Sequence, residues 1–342
     1  MKEKISFVAI GQAGGNIGRL LEQKGYSVLY INTSKEDLET LSGVKYTYHI
    51  PGGEGCNKDR LKAKQLIIDD FDNIAKEIDL KLKTKVVYLL FASGGGTGSG
   101  AGPMLMDLLL DEKKKVGAVT ILPSIQESIK SQINCYECFA ELSTVESSSN
   151  IFVLDNDKGD RLNINKQFVD ILDEFILIPE KHKSIRGNID NAEMEESFNS
   201  RGMAILAKAK QAGTADLLKA LNNNIFAPIE TDQVLKYITI SIHGNFDMPE
   251  MEKAVGVPLD TFQTYNDAGT LCMLSGLTFP RTRLEAVYKR IQENRDTVIR
   301  NMQNDMATEL NLDVNFLFGL SKPQKEEKPK SKRDIMNKYF KG

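Results

Sequence analysis

The sequence predicts an α/β protein: a parallel-sheet domain joined by a long central helix to a smaller α/β domain. Three observations carry this. Apolar runs that read as buried strands alternate with helical stretches through the first half of the chain. Two glycine-rich loops follow the apolar runs "ISFVAIG" and "VVYLLFA". A long amphipathic stretch, "LNINKQFVDILDEFILIP", then separates this half from a second one of mixed pattern.

In order, "ISFVAIG" leads into helical "GQAGGNIGRLLEQKG", "SVLYINTS" into "KEDLETL", and "VVYLLFA" into "FASGGGTGSGAGP" and the helix of "PMLMDLLLDEKK". Strand-like "VGAVTILP", helical "ESIKSQINCYECFAELSTV" and strand-like "NIFVLDND" complete the half. The amphipathic stretch from Leu162 to Pro179 reads as one helix. Beyond it, "AEMEESFNSRGMAILAKAK" and "ADLLKALNN" read as helical, and "YITISIHG" and "TLCMLSGL" as strands. A last helix from about Arg281 to Leu310 carries Leu284, Val287, Ile291, Val298, Met302 and Met306 near a heptad spacing and is expected to dock on its own domain, the alternative being self-association as a coiled coil. The domain bounds that follow are 1–161, a central helix and connection at 162–186, a second domain at 187–320, and a flexible basic tail at 321–342.

Composition narrows the function. The 342 residues suffice for two cores, and a formal net charge of −3 gives no global footprint for nucleic acid. No apolar run reaches the roughly 18 to 20 residues a bilayer requires, so the expectation is a cytoplasmic protein without a membrane anchor. Cys135 and Cys138 form a C-x-x-C inside a helical pattern, with no second pair, and read as small core residues. Three scattered histidines give no metal cluster, and no protein-ligated metal site is expected.

The loop "FASGGGTGSGAGP" holds six glycines in thirteen positions. Bare backbone of this kind lets successive N–H groups converge on an anion, and the helix after it turns its positive end the same way. G-x-G-x-x-G and G-x-x-x-x-G-K-[ST] are both absent, which disfavours a dehydrogenase or a P-loop enzyme. Two glycine loops on neighbouring strands remain, clamping phosphates without a lysine of that motif.

"GGGTGSG" at 94–100 and "GQAGGNIG" at 11–18 resemble the signature loops of the tubulin/FtsZ superfamily. "NIFVLDND", "NINKQF" and "GNID" with Glu193 follow in the family's order, over about residues 1 to 320. "INTSKEDL" and "YHIPGGEGCNKDR" look most like TubZ, the phage and plasmid partition tubulins. The resemblance implies a GTPase using GTP/GDP and Mg2+. Gly94, Gly95, Gly96, Thr97 and Gly98 would hold the phosphates, with Gly11, Gln12, Gly14 and Gly15 opposite, Gln12 lying near the magnesium. The loop at 52–57 would face the γ-phosphate, and Asn16, Asn156 and Asn165 the guanine edge, where an amide offers both donor and acceptor. Glu127 matches the ribose carboxylate. The arginine that FtsZ carries four residues later is Ser131 here, and Lys130 is the substitute within that segment.

Asn188, Asp190 and Glu193 resemble the N-x-D-x-x-[DE] loop with which one subunit completes the nucleotide site of the next. Glu193 would polarise the attacking water with Asp190 as helper. The competing reading makes these acids solvated caps of a helix at Ala192. The tail, "SKPQKEEKPKSKRD" then "IMNKYFKG", is either a solvated linker or, as the resemblance implies, a segment read by a DNA-bound adaptor, its apolar end able to dock as an amphipathic helix. The partners expected are thus the chain itself in a longitudinal polymer and this adaptor, with no direct nucleic-acid contact. The leading function is a GTP-driven filament moving DNA. The alternatives are a phage-spindle or cell-division tubulin and, from another class, a nucleotide-binding enzyme or regulator that does not polymerise.

Overall fold

The computed structural model describes residues 2–230, 234–304 and 332–340. Ten strands form one sheet in the order β3-β2-β1-β4-β5-β6-β7-β10-β8-β9. They are β1 (Ile5–Ile10), β2 (Val28–Asn32), β3 (Tyr46–His49), β4 (Val86–Ala92), β5 (Lys115–Leu122), β6 (Asn150–Asp155), β7 (Gly202–Ala209), β8 (Tyr237–His243), β9 (Asp260–Asn266) and β10 (Thr270–Leu277). From β3 through β7 every pairing is parallel, and β10 runs antiparallel to both β7 and β8. β1 and β6 are buried at every residue, as strands covered on both faces must be.

The helices are α1 (Gly11–Gln23), α2 (Lys35–Glu39), α3 (Arg60–Asp69), α4 (Phe71–Lys81), α5 (Thr97–Asp111), α6 (Ile129–Thr144), α7 (Arg161–Ile176), α8 (Ile178–Lys181), α9 (Asn191–Phe198), α10 (Thr214–Asn222), α11 (Met248–Val255), α12 (Arg281–Asn304) and α13 (Lys332–Phe340). Side-chain caps start many of them: Asp59 accepts from the Lys62 N–H, Ser128 from Ser131, Asp160 from Asn163 and Asp247 from Glu250. α1 begins at Gly11 and α5 at Thr97, inside the two glycine-rich segments, and neither has a side-chain cap.

The two halves are joined by more than α7. β6 and β7 pair over Asn150–Phe152 and Gly202–Ala204. Arg283 of α12 reaches Asp155 at the end of β6 through two hydrogen bonds, of 2.9 and 3.2 Å, with the carboxylate 2% and the guanidinium 8% exposed. Val287 and Ile291 bury the same helix face, and Tyr288 meets Tyr136 of α6 with ring centroids 5.3 Å apart.

Four expectations change. "AEMEESFNSRGMAILAKAK" is not one helix: α9 ends at Phe198 and β7 begins at Gly202. Gly202 has φ +121, and a Cβ there would lie 2.5 Å from the Leu277 carbonyl oxygen, so the chain breaks where only glycine fits. The central helix stops at Ile176, and Pro179 opens the short α8 instead of continuing it. β3, α3, α4, β9 and α11 had no counterpart in the sequence reading. The tail expected to be flexible over 321–342 holds α13 at 332–340, with Ile335 and Tyr339 buried at i, i+4 against the body of the protein. Tyr339 donates from its hydroxyl to Asp107, Lys338 pairs with the same carboxylate, and the Lys64 ammonium stands 5.2 Å from the Tyr339 ring centroid. Residues 305–310 of the expected last helix, with Met306, lie outside the described residues.

Candidate nucleotide site

The carboxyl ends of β1, β2, β4, β5 and β6 meet at one edge of the sheet. Parallel strands place their ligands there. Gly11, with φ +67, turns the chain directly from β1 into α1, and a Cβ on it would approach Thr97 at 3.6 Å and the Gly98 nitrogen at 3.9 Å. The two glycine loops therefore touch. Because α1 and α5 begin without side-chain caps, their first-turn N–H groups, which a helix cannot satisfy internally, face this edge.

The glycines divide by what they face. A Cβ on Gly95 would meet nothing closer than 3.9 Å, so this residue presents open backbone. A Cβ on Gly96 would stand 2.7 Å from the Lys58 nitrogen, and one on Gly14 2.2 Å from the Leu90 carbonyl oxygen. Gly98 faces Phe91 and Ala92 of β4. Gly14 and Gly98, grouped in the sequence with phosphate-facing residues, turn their missing side chains to the sheet and allow helix–strand contact. Gly94 sits against Pro123 and the Ser131 carbonyl, and Gly15 against Leu41. The Thr97 hydroxyl is 3.0 Å from that of Thr33, whose oxygen also lies 3.4 Å from the Cys56 sulfur. The 52–57 loop is thus tied to the glycine loop.

At the far end of the edge, Asn165 is 5% exposed and its amide makes no hydrogen bond among the described residues. An amide left with both functions available suits a base edge. Asn156 is half-buried, and Asn16 and Gln12 are exposed on α1. Glu127 accepts at one oxygen from the Ser124 N–H, 3.0 Å, and from Arg161, 2.8 Å. Lys130 points away from Ser131 and donates to the Asn57 carbonyl instead, at 3.2 Å.

Three residues that sequence reasoning missed organise this edge. Arg60, 6% exposed at the start of α3, binds Glu137, Glu141 and the Ser99 carbonyl, so the loop before α3 is bolted to α5 and α6. Burial raises the Glu137 carboxyl and the adjacent Arg60 opposes this. Asn134 donates to the carbonyls of Lys58 and Gly95. Lys58 donates to Ser128 and Ser131, both at 2.7 Å. Lys58 and Arg60 fall within "YHIPGGEGCNKDR", but no spacing there singles them out, and nothing marks Asn134 of α6. The Cys135 thiol is wholly buried and pushed up to about 12 by that burial, and Cys138 is driven up for the same reason; both are core residues without thiolate chemistry.

Asn188, Asp190 and Glu193 lie elsewhere. Asp190 caps α9 by accepting from the Ala192 and Glu193 N–H groups, at 2.7 and 2.9 Å, while Glu193 Oε2 accepts from the Asp190 N–H at 2.8 Å. Asp190 Oδ2 and Glu193 Oε1 accept no hydrogen bond among the described residues. Asn188 accepts from the Ser184 N–H at 2.8 Å. Lys4, which precedes β1, pairs with Glu195 of α9, and Asn150 at the start of β6 donates to the Ser197 carbonyl. Both contacts put α9 at the amino edge of the sheet. The six residues of β1 separate it from the glycine loops by roughly 20 Å.

Residues 4–162 match the model of the Tubulin/FtsZ family, GTPase domain. The tubulin-like protein TubZ of Clostridium botulinum C phage is 32% identical over 304 residues, covering 86% of this chain and 84% of its own. The crystal structure of the Clostridium botulinum phage c-st TubZ superposes with a TM-score of 0.78 at 28% identity, over 87% of this chain and 100% of that one. The tubulin-like protein CetZ of Pyrococcus abyssi is 31% identical over 168 residues, 44% of each chain. With the glycine loops, the uncapped helices and the free Asn165 amide on one edge of the sheet, the chain belongs to the tubulin/FtsZ family of GTPases and is similar to TubZ over most of its length.

Proposed function

We propose that this protein is a GTP-driven, filament-forming cytomotive protein of DNA partition, in which each subunit binds GTP at its carboxyl edge and hydrolyses it only when the next subunit presents Asn188, Asp190 and Glu193. The observation that carries the reading is the separation of these two groups across one sheet. A carboxylate roughly 20 Å from its own glycine loops cannot act there, and stacking subunits edge to edge brings it to its neighbour's nucleotide.

The chemistry asked of the chain is modest. Backbone N–H groups at Gly94–Gly96 and the first turns of α1 and α5 hold the phosphates, and Asn165 reads the base edge. Glu193 accepts the proton of the water that attacks the γ-phosphorus in line, and Asp190 fixes Glu193 through the cap they share. The hard oxygens of Gln12 and Thr97 fit Mg2+, which would be held mainly through phosphates and water and would temper charge on the transferred group. The adaptor contact falls to the C-terminal segment, where Met336 and Phe340 of α13 remain 38% and 37% exposed.

Right-angle light scattering after addition of GTP with Mg2+ tests assembly. A rise that depends on protein concentration is expected, and a flat trace with steady turnover would replace the filament by a soluble enzyme. Co-sedimentation of GTP-grown filaments with a small helix-turn-helix protein on its DNA tests partition; loss of capture on deleting residues 321–342 is expected, and capture unaffected by that deletion would remove the tail from the reading.

A further inference from the structure

We propose that Lys58 supplies the cation of the phosphate site. The inference rests on the nucleotide reading of the carboxyl edge and deepens it by naming the charged group that holds the anion.

The Lys58 backbone is fixed unusually well. Asn57 and Lys58 have φ of 43° and 61°, a left-handed pair without a glycine, which costs energy and persists only where neighbours enforce it. The enforcing contacts are visible. The Asn134 amide ties the Lys58 carbonyl to that of Gly95, at 3.1 and 2.8 Å, and the Asp59 N–H bonds the Cys56 carbonyl at 2.7 Å. Gly96 admits the Lys58 nitrogen where a side chain would collide.

From that anchor the side chain runs the length of the glycine loop. Its backbone lies against Gly96, and its ammonium ends at Ser131, whose carbonyl in turn abuts Gly94. The ammonium has only the hydroxyls of Ser128 and Ser131 for company and forms no ion pair among the described residues. Ser128 is also the cap of α6, so the cation stands at the positive end of a 16-residue helix, the wrong end for it. The near acids are committed: Asp59 caps α3 and Glu127 pairs with Arg161. A positive group held beside bare backbone, with hydroxyls but no negative charge, is matched by a bound polyphosphate. Lysine serves such sites as a movable point charge, and a rotation about its side-chain bonds exchanges the two serines for phosphate oxygens.

The test is equilibrium binding of GDP, GTPγS and guanosine to the full chain, its Lys58→Ala, Lys58→Arg and Lys130→Ala variants, with circular dichroism to check the fold. Lys58→Ala should weaken GDP and GTPγS by about 10- to 100-fold, the worth of a charge-assisted contact, while guanosine, which has no phosphate, binds as before. Lys58→Arg should recover most of the loss. The salt dependence of GDP binding should flatten in Lys58→Ala alone. Equal loss for guanosine and GDP would assign Lys58 to loop structure and overturn the proposal. So would wild-type GDP affinity in Lys58→Ala, or a larger loss in Lys130→Ala. A wild-type chain that binds none of the three ligands would instead bring down the nucleotide reading itself, and the Lys58 assignment with it.

Discussion

The two edges of the sheet are built on opposite principles. At the carboxyl edge, α1 and α5 start without side-chain caps and Gly95 shows bare backbone, while among the described residues the Asn165 amide is unengaged and Lys58 has no counter-ion. Each is a polar group left short of a partner, and together they describe a missing anion with a base attached. At the amino edge the backbone around Asp190 is satisfied from within, and only the outer oxygens Asp190 Oδ2 and Glu193 Oε1 accept no hydrogen bond among the described residues. Asp190 and Glu193 satisfy each other's backbone, and Lys4 pairs with Glu195. An edge with unmet valences takes a small ligand; an edge that is internally complete yet exposes acids offers them to something outside the subunit.

The sharpest way to break this comparison is at Glu193, where capping and catalysis predict different things. Glu193→Gln retains an oxygen for the Asp190 N–H and loses the basic carboxylate. Turnover in assembled protein should fall at least about 100-fold, roughly 2.7 kcal/mol of transition-state stabilisation. GDP affinity and melting temperature should stay at wild-type values. If phosphate release continues at the wild-type rate, the acids are caps and nothing more.

The next effect belongs to the other edge. Gly95→Val places a branched side chain in open space, so folding should survive while GTP affinity drops by about tenfold or more, read by titration beside a thermal melt. Gly98→Val must instead push Ala92 of β4 aside, and its loss should register first in stability. Mixing Glu193→Gln with Gly95→Val subunits sharpens the comparison further. At a GTP concentration that leaves the Gly95→Val site largely empty each has little turnover alone, but the Glu193 of one completes the intact nucleotide site of the other, so partial turnover should return on co-assembly. Co-sedimenting mixtures without recovery would rule out a shared site.

How far the sequence discloses these edges depends on whether a signal is local. The strands buried on both faces and the glycine loops are written in contiguous residues, and the acids of α9 in a fixed spacing. Lys58 and Arg60 sit inside the quoted "YHIPGGEGCNKDR" and Asn134 outside any motif, yet the roles of all three come from packing α3 and α6 around α5, elements distant in the chain. β7 was misread because "GMAILAKA" is apolar without a two-residue alternation, a pattern that helix and buried strand share, and only the backbone at Gly202 separates them. The edge strand β9, "DTFQTYN", is too polar to register as a strand. In the tail, the apolar end that reads as a docking amphipathic helix is legible, but not that Ile335 and Tyr339 dock it on the chain's own body. Tyr339→Ala should undock α13 and lower stability by about 1–2 kcal/mol in denaturant titration, leaving GDP affinity alone. An unchanged midpoint would return the tail to the solvated linker first expected.

The smallest effect concerns pH at the junction beneath the loop that carries Asn188, Asp190 and Glu193. His182 follows α8, and its ring Nδ1 lies 2.7 Å from the Ser241 hydroxyl, while the Thr264 hydroxyl binds the carbonyls of both His182 and Gly187, just before Asn188. Burial, with the neighbouring Lys181 adding to it, lowers the imidazole below its usual range, and Glu174 opposes them weakly. A folded-state value below that of the unfolded chain means that the unfolded chain takes the proton first as pH falls. The stability contributed by neutral His182 is therefore complete above about pH 6.5 and is lost as pH drops from there through the folded-state value. Denaturant midpoints measured from about pH 7.5 down to about pH 5.5 should decline more steeply in wild type than in His182→Gln, which keeps a hydrogen-bonding group but cannot titrate in that range. Because the affected contacts support Gly187, turnover in assembled protein should fall over the same window while GDP binding, at the opposite edge of the sheet, holds steady. Parallel loss of both would show that the two edges respond as one body and not as separate sites.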